Sequence, residues 1–415
     1  MSTLETGTGQ PFRPQAATLS LLGSAAVATG IFLSGFVISE PAPYELFMAG
    51  LVGLWFLLGL KISRSTSYLL TMLIVLEIGC MLSLTQMREL SDGPMYLAVN
   101  IFLALTAVFY AAIIEERHSR LTLIFNFWTL AALITGTLGI LGYFHAFPGA
   151  EVFTLYDRAK GAFQDPNVFG PFLVAPSLYL LYGILKDKLG LMTFVRGTAL
   201  MILAMAVLLS FSRAAWGLYA FANVMLVMVM LLKERTSAFR LKVLVLAMLG
   251  FVLLVTAFAI AIQFSQVSDM LADRSQLVKP YDAGHLGRFD RHRIGFLLSM
   301  EHPLGIGPLL FGKIYGEDEH NTWLKMLTTY GWLGFVTYIT MLFWTLSIGF
   351  KYMLRNRPWQ PFLMIAWITL LGHALIGNVI DTDHWRHFYL LYGIIWGCRA
   401  LEHNFQRALR RSAAV

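Results

Sequence analysis

The chain has 415 residues, of which 57% are hydrophobic and only 13% are charged. With a mean hydropathy of +0.65, this composition excludes an ordinary soluble globular protein and indicates an integral membrane protein. The net charge of +7 agrees with basic residues collected on one side of a membrane, so a nucleic-acid partner is the poorer interpretation.

Apolar stretches follow one another along the whole sequence. A helix needs about 17 to 25 apolar residues to cross roughly 30 Å of hydrocarbon, and about twelve stretches meet this requirement. The sequence therefore predicts an all-α, polytopic protein with a single membrane domain over residues 1–415. The predicted spans are residues 16–38, 44–60, 66–85, 95–114, 122–145, 167–185, 191–210, 214–232, 243–264, 322–350, 360–380 and 386–401.

The positions of Lys and Arg predict the orientation of these spans, because basic residues avoid translocation. Most of them fall on one side of the membrane if both termini are cytoplasmic. Residues 265–321, between the ninth and tenth spans, then form a long periplasmic segment. Within it, Leu286 to about Met300 has the pattern of a short amphipathic helix.

Charged side chains at a membrane edge are costly to keep, so we expect function where the sequence retains them. The first such place is residues 156–172, where an Asp-Pro-Asn turn predicts a helix with Asn167 as N-cap and Val168 at the start of a span. Arg158 and Lys160 stand close by, so this helix N-terminus is a candidate anion site. The alternative is a plain connecting turn.

The second place is residues 208–217, where Arg213 separates two apolar spans with almost no loop. Ser210, Ser212 and Arg213 form a corner suited to an oxyanion, because the planar guanidinium matches phosphate geometry. The alternative is an arginine that only extends to the membrane interface.

The third place is the predicted amphipathic helix, on which Arg288, Arg291 and His292 share one arc while Arg293 points elsewhere. Two guanidinium groups on one face predict a diphosphate clamp, with non-specific binding of lipid headgroups as the alternative. The glycines that follow do not form a dinucleotide fingerprint, because Leu310 stands at the third glycine position and no strand precedes them.

The fourth place is residues 317–334, EDEHNTWLKMLTTYGWLG, in which three acids and His320 stand directly before an apolar helix that begins at Thr322. A histidine at the water interface can take up or release a proton. On a continuous helix, Gly331 lies on the same face as His320 and about 16 Å deeper in the membrane. This spacing predicts that one face of the helix contacts a substrate with a polar head and a lipid tail. The alternatives are an inert interfacial histidine and a glycine that serves close helix packing.

The fifth place is residues 378–397, between the last two predicted spans. A divalent metal site is one interpretation, since sugar-transferring enzymes use an Asp-x-Asp pair to hold a metal on a diphosphate. A polar hairpin is the alternative, and the absence of further clustered ligands in the sequence disfavours a metal. The residues concerned are Asp381, Asp383, His384 and His387.

In order and spacing, these motifs resemble the O-antigen ligase and O-antigen polymerase superfamily, although no single motif is specific alone. The resemblance covers nearly the whole chain. The features that carry it are the Asp-Pro-Asn turn, Ser-x-Ser-Arg ending at Arg213, the Arg-rich segment before Pro-Leu-Gly-Ile-Gly at 303–307, and His320 followed by ten residues and Gly331. The spacing from histidine to glycine is similar to the signature of the ligase branch.

The resemblance implies a glycosyltransferase with a GT-C-like architecture in the bacterial inner membrane, acting on the periplasmic face. Its donor would be a glycan on undecaprenyl diphosphate. A ligase moves that glycan to lipid A-core, with inversion at the anomeric carbon and without metal or another cofactor. A polymerase moves a growing chain onto another lipid-linked repeat unit of O-antigen or exopolysaccharide.

Carried over to this chain, the resemblance implies that His320 is the catalytic residue, which activates the acceptor hydroxyl or assists proton transfer. Arg213 and Arg288 would bind the donor diphosphate. Arg291 is a weaker candidate for the same role, and Arg158, at the candidate anion site described above, is a further candidate for diphosphate binding. Further residues expected to support the site are Asn321, Gly331, Asp381 and Arg386.

Two other classes of protein stay open at this point. A transporter or flippase would pass an anionic lipid along buried charges, but most charges here stand at the ends of spans, which disfavours it. A metal-dependent enzyme would use Asp381 and Asp383 as ligands. Such an enzyme would lose activity on treatment with a chelator, whereas a metal-free transferase would keep it.

Overall fold

The computed structural model describes residues 14–59, 61–275 and 287–413. Within these ranges the regular structure is helical except for one short antiparallel hairpin, β1 Thr154–Leu155 and β2 Arg158–Ala159. The predicted all-α class is therefore confirmed. The helices are α1 Pro14–Leu33, α2 Pro43–Leu57, α3 Arg64–Leu84, α4 Gly93–Glu116, α5 Arg120–Tyr143, α6 Pro166–Phe172, α7 Val174–Lys186, α8 Leu191–Leu209, α9 Arg213–Lys233, α10 Ser237–Ala261, α11 Ser265–Ser275, α12 Arg288–Glu301, α13 Leu310–Tyr315, α14 Thr322–Tyr352, α15 Gln360–Ile376 and α16 Arg386–Ser412.

Among the described residues, eight runs are long and apolar enough to cross a membrane, namely α3, α4, α5, α6 with α7, α8, α9, α10 and α14. Three shorter apolar helices lie at Ser20–Leu33, Pro43–Leu57 and Gln360–Ile376. The protein is thus a polytopic membrane protein. The number of helices that cross the bilayer, predicted as twelve, stays a prediction.

Pairs of long helices pack side by side around one connected apolar core. Helix α16 lies along α4, α14 lies along α3, and α5 lies between α1 and α8, while α15 contacts both α9 and α16. Helix α10 is at the edge, since Val243 and Ala261 are its only buried residues. Most of its other apolar side chains are exposed, as expected for a helix that faces lipid.

The apolar run from α6 to α7 is interrupted near Leu173, where Pro171 and Pro176 weaken the backbone hydrogen bonding. Pro176 has no N–H to give to the carbonyl of Phe172. That carbonyl instead accepts a hydrogen bond from Nε1 of Trp128, at 3.2 Å. A neighbouring helix therefore satisfies the polar group that the proline leaves open, as is required in a membrane.

Helix α14 is broken at Gly331, whose φ of 65° and ψ of −173° are not helical. The break frees the carbonyl of Thr328, which accepts hydrogen bonds from the backbone N–H groups of Ile306 (2.7 Å) and Gly307 (3.3 Å). Beyond the break, the N–H of Trp332 donates to the carbonyl of Pro303 at 2.9 Å. The Pro-Leu-Gly-Ile-Gly loop is thereby fixed against the middle of α14.

Residues 265–321 contain α11, α12 and α13 in their described part. The amphipathic helix predicted from Leu286 to Met300 corresponds to α12, Arg288–Glu301, and Leu286 lies outside the described residues. Helix α12 packs on α14, and Nε1 of Trp332 donates to the carbonyl of Ser299 at 3.0 Å. This contact positions the arginines of α12 close to the beginning of α14.

Candidate active site

A cavity of about 910 Å³ forms where the five polar segments of the sequence meet, and it is called the arginine cavity below. Arg158, Arg213, Arg288 and His320 lie on its polar side. Helices α9 and α15 form its apolar side. The lining residues are Leu155, Tyr156, Arg158, Asp165, Pro166, Asn167, Phe211, Ser212, Arg213, Ala214, Gly217, Leu218, Phe221, Arg288, Phe289, Glu317, His320, Gly372, Leu375, Ile376, Val379 and Ile380.

Arg158, on β2, is a buried residue whose guanidinium is oriented by hydrogen bonds. Its Nε donates to the carbonyl of Ser210 at 2.8 Å, and its Nη2 donates to Oδ1 of Asn167 at 2.9 Å. The prediction of Asn167 as an N-cap is wrong, because α6 begins at Pro166 and Asp165 is its N-cap. The carboxylate of Asp165 accepts the N–H of Asn167 at 2.6 Å, and the Asn167 side chain orients Arg158 instead.

Arg213 is the first residue of α9, and it is half-buried at the edge of the arginine cavity. The serines beside it are buried and bond to the backbone. Oγ of Ser212 caps α9 by accepting the N–H of Ala215 at 3.3 Å, and Oγ of Ser210 donates to the carbonyl of Val207 at 2.7 Å. The charge of this corner therefore comes from Arg213 together with the positive end of the α9 dipole.

Arg288 and Arg291 share a helix but lie in different surroundings. Arg288 lines the arginine cavity, whereas Arg291 does not. Arg291 is 3% exposed, and its Nη1 lies 2.7 Å from Oε2 of Glu317. This ion pair ties α12 to the segment before α14. His292, the third residue of the predicted arc, is partly buried, and burial lowers the pKa of its imidazole.

His320 lies at the cavity wall with one third of its side chain exposed. Its Nδ1 is 3.7 Å from Oδ2 of Asp381, and its Nε2 is 3.7 Å from Oε2 of Glu317. Asn321 is the N-cap of α14, and its backbone N–H donates to Oδ1 of Asp381 at 2.9 Å. Asp381 thus faces the histidine and holds the cap that follows it through a hydrogen bond.

The prediction that His320 and Gly331 share one helical stripe is wrong. His320 precedes the helix and has a left-handed backbone with φ of 48°, because α14 begins only at Thr322. Gly331 then breaks the helix, so the rotation assumed for a continuous helix does not apply. Gly331 lies against the Pro303 to Gly305 backbone, where a Cβ atom would stand 2.6 Å from the carbonyl carbon of Leu304. Its role in this fold is close packing.

A buried lysine, Lys325, lies near His320 and was not singled out in the sequence. Its side chain is 8% exposed, and its Nζ is 3.2 Å from Asp318, 3.8 Å from Asp381 and 4.0 Å from Asp383. One cation among three carboxylates reduces their mutual repulsion in a poorly hydrated place. The signal in the sequence that could have identified Lys325 is its position as a charged residue inside the predicted apolar span 322–350.

Glu319 is a further buried acid next to the histidine, with 2% exposure, and Oγ1 of Thr328 donates to its Oε1. Burial raises the pKa of Glu319 to about 7, and the charge of Asp381 adds to this, while Lys325 opposes it. Burial also raises the pKa of Asp381, again against the effect of Lys325. A group that exchanges a proton near neutral pH therefore lies next to His320.

The four side chains considered as metal ligands have different surroundings. Within the part of the chain that the structure describes, no three His, Cys, Asp or Glu side chains come together as a metal-binding group. Asp381 faces His320 and Lys325, Asp383 accepts hydrogen bonds from the hydroxyls of Tyr96 and Tyr330, His384 stacks on Tyr96, and His387 lies 3.2 Å from His373.

Arg386, expected to support the site, does not line the arginine cavity. Its guanidinium pairs with Glu45 at the start of α2 and with Glu40, at 3.0 Å. These contacts join α16 to α2. Arg386 therefore stabilises the packing of the helix that follows Asp381.

Part of the chain is similar to a known protein family. Residues 198–339 match the family model described as O-antigen ligase. The match includes Arg213, Arg288, His320 and Gly331, and it confirms the resemblance to the O-antigen ligase superfamily, with which the ligase branch is consistent. No curated protein sequence matches the chain.

Proposed function

We propose, on the premise that this chain is a member of the O-antigen ligase superfamily, that it is a glycosyltransferase that moves a glycan from undecaprenyl diphosphate to a sugar of lipid A-core. In this proposal the reaction takes place at the arginine cavity, on the periplasmic face of the bacterial inner membrane. It inverts the anomeric carbon and needs no metal. The helices and the family match support the coarser statement of a membrane enzyme of the ligase type.

The observation that carries the proposal is the division of the cavity into two chemical halves. Three arginines, Arg158, Arg213 and Arg288, converge on one half. Guanidinium groups pair with phosphate through charge-assisted hydrogen bonds, so this half fits a diphosphate. The other half is apolar and lies between two membrane helices, where a prenyl chain would be shielded from water. Its lining includes Leu218, Phe221, Leu375, Ile376 and Val379.

The chemistry follows from this arrangement as a single displacement. The acceptor hydroxyl oxygen forms a bond to the anomeric carbon, and the bond from that carbon to the diphosphate oxygen breaks. The lipid diphosphate leaves with the electron pair, and fixed arginines stabilise the charge that develops on it. The hydroxyl proton passes to Nε2 of His320, while Asp381 holds the imidazole through Nδ1. Attack opposite to the leaving group inverts the anomeric carbon.

The proposed orientation rests on the distribution of basic residues. With twelve spans and both termini in the cytoplasm, the ends of the helices that carry the arginine cavity face the periplasm. Undecaprenyl-diphosphate-linked glycan then reaches the cavity from within the membrane. Since this donor is already activated, the enzyme needs no nucleotide-binding loop.

The acceptor is tested by supplying purified protein with a lipid-linked glycan and either lipid A-core or a second lipid-linked repeat unit, with a chelator present. Transfer to lipid A-core is the expected result. Transfer only to the second lipid-linked unit would make the protein a polymerase. Activity that disappears with the chelator and returns with magnesium or manganese would contradict the metal-free mechanism. Movement of the donor across the membrane without transfer would make the protein a flippase.

A further inference from the structure

A second polar pocket, of about 230 Å³, lies between α3, α4 and α16 and is called the distal pocket below. None of these three helices lines the arginine cavity. Near the beginning of α4, the hydroxyl of Tyr96 donates a hydrogen bond to Asp383. Near the end of the same helix, Glu115 lines the distal pocket. The lining residues are Ser63, Arg64, Ser65, Tyr68, Glu115, Arg399, Ala400, His403, Asn404 and Arg407.

The distal pocket is basic. Arg64, Arg399 and Arg407 line it against a single carboxylate, that of Glu115. The Glu115 side chain is already engaged, because its Oε1 accepts a hydrogen bond from Nδ2 of Asn404 at 3.1 Å and its Oε2 accepts one from Oγ1 of Thr66 at 3.4 Å. The remaining charge favours an anion. The N-terminus of the 21-residue helix α3, capped by Ser63, adds to this potential.

Arg399 is held in place by aromatic rings. Its guanidinium carbon lies 4.5 Å from the ring centroid of Trp396, 5.2 Å from that of Trp344 and 5.5 Å from that of Tyr68. Rings on several sides orient the guanidinium without using its hydrogen-bond donors. Among the described residues, Nη1 of Arg399 is buried and has no hydrogen-bond partner.

Ser65 provides a second unsatisfied polar group at the same place. The residue is 7% exposed, and its Oγ has no hydrogen-bond partner in the described part of the chain. A buried hydroxyl or guanidinium donor without a partner is costly, so native proteins rarely keep one unless a ligand or water satisfies it. Two such donors meet in one basic pocket. The volume is several times the roughly 30 Å³ of a liquid water molecule, which is enough for a phosphate group.

We propose that the distal pocket binds a phosphate group, with Arg399 and Ser65 donating hydrogen bonds to its oxygens and Arg64 and Arg407 closing it from the exposed side. The phosphate belongs either to the headgroup of an anionic phospholipid or to a free phosphate ion. Basic pockets between membrane helices commonly hold anionic headgroups at the membrane surface. The site is separate from the arginine cavity and does not depend on the proposed transfer reaction.

The test measures the thermal unfolding midpoint of the detergent-purified protein against the concentration of phosphatidylglycerol, phosphatidylcholine or inorganic phosphate. A ligand that binds the folded state raises this midpoint. The double variant Arg64→Gln/Arg407→Gln is expected to need about ten times more ligand for the same rise. The matched control is Arg410→Gln/Arg411→Gln, which removes the same charge from exposed positions outside the pocket, and it is expected to behave as the wild type.

The variant Ser65→Ala gives an independent readout. Without ligand its midpoint is expected to equal or exceed that of the wild type, because the mutation removes an unsatisfied hydroxyl. With ligand its midpoint is expected to rise less. An unfolding midpoint that rises with phosphatidylglycerol but not with inorganic phosphate identifies a lipid headgroup. An equal rise of the midpoint with inorganic phosphate identifies the free ion. The proposal is overturned if no ligand raises the midpoint, or if both double variants respond alike.

Discussion

Nδ1 of His320 lies 3.7 Å from Oδ2 of Asp381, while the other carboxylate oxygen of Asp381 accepts the backbone N–H of Asn321. The carboxylate therefore contacts the histidine and the N-cap of α14 at the same time. In the proposed mechanism, Nδ1 keeps its proton on the side of Asp381 and Nε2 takes the proton of the acceptor hydroxyl. In this account Asp381 is a positioning residue for the proposed base.

Asp381→Asn is expected to lower kcat for glycan transfer about 10-fold or more, less than loss of the base itself, which contributes about 10² to 10⁴. KM for the donor should change little, because Asp381 does not line the arginine cavity. Steady-state kinetics measure both quantities. Asp318→Asn is the control, since Asp318 also contacts Lys325 but is not paired with His320. Equal losses in the two variants would contradict the positioning role.

Arg288→Gln is expected to lower kcat/KM for the lipid diphosphate donor by about 10- to 100-fold, because a charged hydrogen bond to the diphosphate is lost. Arg293→Gln is the matched control on the same helix, since Arg293 is exposed and pairs with Asp290. The control should keep wild-type kinetics. If donor dependence is unchanged in Arg288→Gln, this arginine contacts only lipid headgroups.

Glu319 predicts a pH dependence of stability. Its pKa of about 7 in the folded protein is above the ordinary value of 4.5, so the folded state binds this proton more tightly than the unfolded state. The stabilisation of the folded state by this proton is fully present below about pH 4.5 and is lost as the pH rises through about 7. Glu319→Gln lacks this loss. The unfolding midpoint of the variant, relative to wild type, should therefore rise between roughly pH 5 and pH 7.5. Parallel curves would exclude a raised pKa.

Gly331→Ala is expected to lower the free energy of unfolding by about 2 to 4 kcal/mol, through the left-handed backbone and the clash with the carbonyl of Leu304. Thermal or denaturant unfolding in detergent measures the loss. Gly197→Ala in α8 is the control, because a Cβ there meets open space. Helix propensity should leave the control neutral or stabilise it by up to about 1 kcal/mol. A neutral Gly331→Ala would contradict the packing role.

The sequence predicted an all-helical membrane protein correctly, because a helix that crosses a membrane needs a long apolar run. The number of spans stays a prediction. The sequence also singled out Arg158, Arg213, Arg288 and His320, which the fold brings to one cavity. The signal was the same at each, a charged or titratable group kept at the edge of an apolar run.

The backbone conformation of single residues could not be predicted from the sequence. Helical periodicity assumes a continuous helix, but Gly331 breaks α14 because the Pro303 to Gly305 backbone approaches closely. The same limit explains the wrong cap at Asn167, since Asp165 and Asn167 are both good caps. The distribution of partners is also a tertiary property. Lys325 meets Asp381 and Asp383 only after the chain connecting α15 to α16 folds back on α14.

The most direct test of the proposed reaction is the transfer rate of His320→Ala, with His320→Asn beside it because asparagine tolerates the left-handed backbone at this position. Purified variants receive lipid-linked glycan and lipid A-core, and their unfolding midpoints are measured in parallel. Both are expected to stay folded and to lose about 10² to 10⁴ in transfer rate. Wild-type turnover in a folded variant would contradict the assignment of His320 as the base.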